Sequence, residues 1–96
     1  MSRMKKSERE HLRKVQELGC IACIRLGYYN TPAEIHHIRK MGEPRNHMKV
    51  IPLCPHHHRT SLESYHLNPK WFEGTFGTQK ELLEETLRLI DVKDKD

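Results

Sequence analysis

Apolar residues are sparse along this chain, and their spacing changes three times. Leu12, Val15 and Leu18 recur at helical intervals in a charged stretch, after a Ser7-Glu8-Arg9-Glu10 sequence of capping-box form and before Gly19. The pattern predicts an amphipathic helix over residues 7–18. Gly27, Asn30 and Pro32 then mark an irregular connection. Residues 33–38, with Ile35 and Ile38 flanking His36-His37, and residues 49–53 are two short apolar runs read as paired strands. Gly42 and Pro44 break the polar loop between them. Pro55 suits the first position of a helix, which is expected to run to about residue 62 or 63. Asn68-Pro69 opens a short helix through Trp71 and Phe72, ended by Gly74. A second capping-box pattern, Thr78 to Glu81, precedes the stripe Leu82, Leu83, Leu87 and Ile90, a helix expected to end near Ile90. The fold class is therefore α+β, a small ββα layout with flanking N-terminal and C-terminal helices. Residues 1–18 form a basic N-terminal helix, 19–67 the core and 68–96 a C-terminal helical extension of one compact domain.

Composition narrows this picture. The 96 residues suit one domain, but only 35% are hydrophobic and 6% aromatic. So lean a core in so short a chain usually needs a staple. Three cysteines cannot all pair with one another. The charged start Met1-Ser2-Arg3-Met4-Lys5-Lys6 lacks the apolar segment of a secretory signal, and no run approaches the ~18 apolar residues of a membrane span. The expectation is a cytoplasmic protein with no membrane partner, whose cysteines hold metal rather than disulfides. The net charge of +4 favours a polyanionic partner. Arg3, Lys5, Lys6, Arg9, Arg13 and Lys14 crowd the start, and Asp91, Asp94 and Asp96 the end. Solvated helix faces account for the basic cluster as well as a nucleic-acid contact does.

Candidate chemistry is concentrated in three stretches. Cys20-Ile21-Ala22-Cys23 places two thiols on one side of a tight turn, as zinc needs. A redox pair has this spacing too, as do two buried, unligated cysteines, but no βαβ pattern surrounds this one. Cys54 and His57 repeat the interval with an imidazole in place of one thiol. Together the four side chains make a soft-to-borderline donor set that fits a closed structural Zn²⁺ site. In His36-His37, successive strand side chains face opposite ways, so the two histidines do different jobs and make a poor chelate; on the residues alone they read as ordinary surface histidines. Trp71, Phe72 and Phe76 could stack on bases, although packing is the commoner use in a lean core.

These stretches carry a resemblance. Cys-x2-Cys, Ile-His-His-Ile and Ile-Pro-Leu-Cys-Pro-His-His-His resemble the zinc-bound HNH, or ββα-metal, endonucleases. Pro32-Ala33-Glu34-Ile35-His36-His37, His66 and Phe72-Glu73-Gly74-Thr75-Phe76-Gly77-Thr78 narrow the likeness to the phage-type recombination-enhancement nucleases that act with the RecA recombinase. The resemblance spans residues 19–89. It implies that residues 19–67 are an HNH ββα core stapled by zinc on Cys20, Cys23, Cys54 and His57. It implies a catalytic divalent metal, Mg²⁺ or Mn²⁺ with Zn²⁺ as a third candidate, on His36, His58 and His66. His37 becomes the general base, with DNA and a RecA-type filament as partners and 3′-hydroxyl and 5′-phosphate ends as products. A neutral imidazole is a suitable base for water at neutral pH. Arg39, Lys40, Arg45 and Arg59 are the side chains expected to grip flanking phosphates. His56 is left facing solvent. The sequence departs from the family pattern at the middle Asn of HNH, where Lys49 stands; Asn46 or His47 is expected to brace the loop instead. Two other readings compete: a non-catalytic, zinc-stapled DNA-binding module, and an accessory factor docked on a recombinase filament.

Overall fold

Helix α1 (Lys6–Leu18) turns Val15 fully inward, flanked by Leu12 and Leu18. The computed structural model describes residues 4–95; Arg3 of the basic cluster and Asp96 of the acidic end lie outside the described residues. The helix starts earlier than its Ser7 pattern predicts. Lys5 is the N-cap, and its backbone N–H donates to the Glu8 carboxylate at 2.9 Å. An ammonium cannot return that bond, so only half a capping box forms. Glu10, the residue expected to reach back, pairs with Arg13 instead. Gly19 ends the helix at φ 87°, where a Cβ would lie 3.2 Å from the Thr31 amide nitrogen. No side chain fits that approach without moving backbone.

The Cys-x2-Cys segment is a helical turn rather than a loop. Helix α2 (Ile21–Arg25) is capped by Cys20, whose Sγ accepts the Cys23 N–H at 3.4 Å. Ile21 and Ala22, between the two cysteines, are fully buried and anchor the turn. Strands β1 (Glu34–His37) and β2 (Val50–Leu53) pair antiparallel, with Glu34 opposite Leu53 and His37 opposite Val50. Pro52 donates no N–H, and β2 tolerates it because this sheet has only two strands. Alternation along β2 sends Ile51 and Leu53 into a cluster with α2, Phe72, Phe76 and Leu82. Val50 goes to the other face, against Val15 and Ile90. Burying a side chain such as Leu53 stabilises by about 1.5–3 kcal/mol, so the strand buried on both faces is the main apolar anchor of the fold.

After β2 the predicted α-helix to residue 62 or 63 is replaced by a π-helical turn, His56–Thr60. The backbone bonds explain the difference. The carbonyls of His57 and His58 accept the N–H groups of Tyr65 and His66 at 2.8 and 3.2 Å, so they are not free to continue a helix. The Thr60 and Ser61 hydroxyls take the Pro55 and His56 carbonyls, and Ser61 is extended. The chain thereby doubles back and sets Tyr65 and His66 beside His57 and His58.

Helix α3 (Pro69–Phe76) passes through Gly74, its predicted stop, and ends at Gly77 with φ 120°. Helix α4 (Gln79–Asp94) has the predicted capping box, with both Thr78–Glu81 bonds formed at 2.9 and 3.1 Å. It runs one turn beyond Ile90, and Lys14 of α1 meets Asp94 at 2.9 Å. The described architecture is a small α+β fold, a two-stranded sheet covered by helices. No helix among the described residues is long and apolar enough to cross a membrane.

Candidate metal centres

The start of α2, the end of β2 and the π-helical turn converge on one buried point. The donor atoms of Cys20, Cys23, Cys54 and His57 lie within 4.8 Å of one another, and all four residues are buried. His57 Nδ1 is 3.7, 3.6 and 3.3 Å from the sulfurs of Cys20, Cys23 and Cys54, and Cys23 Sγ is 3.9 Å from Cys54 Sγ. Zinc–sulfur and zinc–nitrogen bonds of ordinary length in a tetrahedron give edges of about 3.8 Å between sulfurs and about 3.6 Å between sulfur and nitrogen. The observed separations match these edges. None of the three cysteines is in a disulfide. Burial pushes the Cys20 thiol up to about 12, so the free thiol stays neutral at pH 7. A bound cation reverses that balance and draws out the thiolate. This buried set could hold a structural metal such as zinc. Four converging donors favour that use over a two-cysteine redox pair. The His57 ring also packs edge-on against Phe76, 5.1 Å between centroids, which fixes the ring from the core side.

A second cluster lies on the opposite side of the turn. His36 from β1, His58 from the turn and His66 from the returning chain bring their donor atoms within 4.8 Å. His36 is buried and His66 exposed, so the group opens to solvent on one side. His36 Nδ1 faces His58 Nε2 at 3.3 Å. The outer nitrogens of both rings are engaged: His36 Nε2 with Gln79 Oε1 at 2.7 Å, and His58 Nδ1 with Glu34 Oε1 at 2.8 Å. Both oxygens accept, so both ring protons sit on the outer nitrogens. In the neutral rings two lone pairs then face each other. Either an added proton or a cation could bridge that gap, so a metal held there would compete with protons. Burial, followed by the neighbouring His58, His66 and His37 charges, pushes His36 down to about 4 despite the Gln79 bond. Metal-binding histidines characteristically donate their second N–H to a carboxylate or carbonyl, as Glu34 and Gln79 allow here.

Glu34 also takes Arg59 through two bonds, 3.0 and 2.7 Å, and with His58 this holds its carboxyl down to about 2. Arg59, expected at a phosphate, is therefore occupied by Glu34. Arg39 and Arg45 line a cavity of about 260 Å³ with His36, His37, His58 and His66. Lys40 lies outside that cavity, in the neighbouring groove. His37 is not among the shared donors of the three-histidine cluster; it lines the same cavity and meets His47, Nε2 to Nδ1, at 3.0 Å. Burial, followed by the neighbouring Arg45, His47 and Arg39, lowers its proton affinity, which favours the neutral ring at pH 7. Asn46 folds its Oδ1 onto the Met48 N–H at 2.9 Å and closes its own loop. His47 is thus the member of that pair that reaches the doublet. His56 is exposed and bonds Glu63 at 2.7 Å.

No sequence pattern gives Glu34 or Gln79 a role. Glu34 was within reach of one: two residues before His36 on a strand means the same face. Gln79 comes from the start of a helix 43 residues further on and gives no local signal.

Fold and site define the class as a small α+β domain with a buried cysteine–histidine cluster able to hold a metal and an open histidine cluster in a cationic cavity. The model of the family described as "Recombination enhancement, RecA-dependent nuclease" matches residues 5–91. That span holds every residue of both clusters, and the chain belongs to this family. The description is that of a nuclease working in recombination and dependent on RecA.

Proposed function

We propose that the chain is a metal-dependent DNA endonuclease of the HNH type, acting alongside a RecA-type filament. In this reading β1, β2 and the π-helical turn are its ββα-metal core. Cys20, Cys23, Cys54 and His57 hold the structural zinc, and His36, His58 and His66 hold the catalytic ion. The observation that carries the reading is the meeting of those three histidines with His37, Arg39 and Arg45 in one open cavity.

The roles follow from the contacts. Glu34 and Gln79 fix the tautomers of His58 and His36, so that Nε2 of one and Nδ1 of the other present lone pairs inward. Three imidazoles suit a borderline ion such as Zn²⁺ best; Mn²⁺ and Mg²⁺ prefer oxygen and would fill their remaining positions with water and phosphate oxygens. A divalent ion bound there supplies charge neutralisation at the scissile phosphate and stabilises the leaving oxygen. His37 Nε2 is engaged by His47, which leaves Nδ1 to take the proton of the attacking water. Arg39 and Arg45 hold the phosphates on either side of the reacting one. Such contacts position the strand and read no sequence.

The test is nicking of supercoiled plasmid with Mn²⁺, with and without the recombinase filament, by the parent and by His37→Ala. A positioned base contributes at least ~10²-fold, so His37→Ala should lose that much rate while retaining its zinc and its Mn²⁺ affinity. Parent-like cleavage by His37→Ala would remove His37 as the base. DNA binding without any cleavage by the parent would favour the non-catalytic binding module.

A further inference from the structure

A groove of about 300 Å³ adjoins the histidine cavity. Its cations come from three distant places: Arg39 and Lys40 after β1, Lys49 before β2, and Lys80 in the first turn of α4. Glu43 and Glu73 also line it. None of the four cations forms an ion pair among the described residues, whereas Arg13, Lys14, Arg59, Arg88 and Lys95 are each spent on a carboxylate. Arg39 bonds only the Glu43 backbone carbonyl, at 3.3 Å, which braces the loop. Lys80 sits at a helix N-terminus, where a cation is unfavourable to the helix itself. Four cations against two carboxylates leave the groove net positive, a balance that suits a polyanion.

We propose that this groove carries the DNA strand away from the histidine cavity, with Lys49 and Lys80 each holding a backbone phosphate. The proposal rests on the nuclease reading and adds to it the path of the substrate. Continuity supports it: Arg39 lines both spaces, and Gln79, in the groove wall, bonds His36 at 2.7 Å. A strand whose reacting phosphate lies at the histidines therefore meets this groove next. The groove presents lysines and no planar array for base edges, so binding there is independent of sequence.

The test is a Lys49→Gln/Lys80→Gln double variant with Lys93→Gln as control. Lys93, thirteen positions beyond Lys80 on α4, lies ~20 Å away along the helix. Binding of fluorescent single- and double-stranded oligonucleotides is measured by anisotropy across a salt series. Losing two phosphate contacts should flatten the plot of log affinity against log salt by about 1.8 on duplex and about 1.4 on single strands. Melting temperature should hold or rise slightly, Mn²⁺ affinity should not change, and Lys93→Gln should match the parent. If the parent binds and cleaves DNA while the double variant keeps the full slope and affinity, the groove proposal falls and the nuclease reading stands. If the parent neither binds nor cleaves, both fall. Loss of recombinase binding with an intact DNA slope would assign the groove to a protein partner and overturn the proposal.

Discussion

Replacing Cys54 by serine tests whether the buried cluster holds the fold together. Cys54 is almost fully buried between β2 and the π-helical turn, 3.3 Å from His57 Nδ1 and 3.9 Å from Cys23 Sγ. Serine keeps the size but offers a hard, protonated oxygen where the set needs a soft thiolate. A domain of this length has a net stability of about 5–14 kcal/mol at the usual per-residue value. Structural zinc contributes about 10–16 kcal/mol of apparent binding free energy in small domains, and that is folding free energy. A metal term of that size would equal the whole net stability, and the apolar core could not replace it. Three of the ten residues in the main buried cluster are the cysteines themselves. Cys54→Ser should therefore be unfolded or insoluble at 25 °C, and a strong chelator should unfold the parent. Circular dichroism with elemental analysis reads both. A Cys54→Ser protein that contains no zinc and melts at the parent temperature would refute the stapled-fold reasoning.

Two more predictions concern the histidine cluster. Glu34→Ala frees the His58 ring and should weaken Mn²⁺ binding by about 10–100-fold, the usual cost of losing an orienting partner, measured by calorimetry on zinc-loaded protein; unchanged affinity would mean that the Glu34 bond does not orient a ligand. Stability should fall in acid: burial holds His36 down to about 4 against an ordinary 6.5, so the unfolded chain takes up a proton that the native state refuses. The His36 contribution is fully present above pH ~6.5 and is lost as pH falls toward ~4, about 3 kcal/mol in all, so urea midpoints should drop across that window and a flat profile would contradict the burial argument.

The donors were legible in the sequence because their chemistry is local. Two Cys/His intervals name the buried cluster by spacing, whereas His36, His58 and His66 are singled out only through the family resemblance. Helix and strand periodicity likewise located α1, both strands and α4, since each buries one repeating face. What needed the tertiary structure was the competition between local signals and distant partners. Ser7-x-x-Glu10 lost to Lys5 and Glu8 because Glu10 found Arg13. The helix after Pro55 stopped at Thr60 because the chain folds back and Tyr65 and His66 take the carbonyls that an α-helix would have used. Gln79 reached His36 only because α4 packs across β2. The charge of Arg59 was plain in the sequence, but its pairing with Glu34 depends on a side chain 25 residues away. Spacing can name a ligand; which nitrogen it presents is set by whatever the fold brings to the other side of its ring.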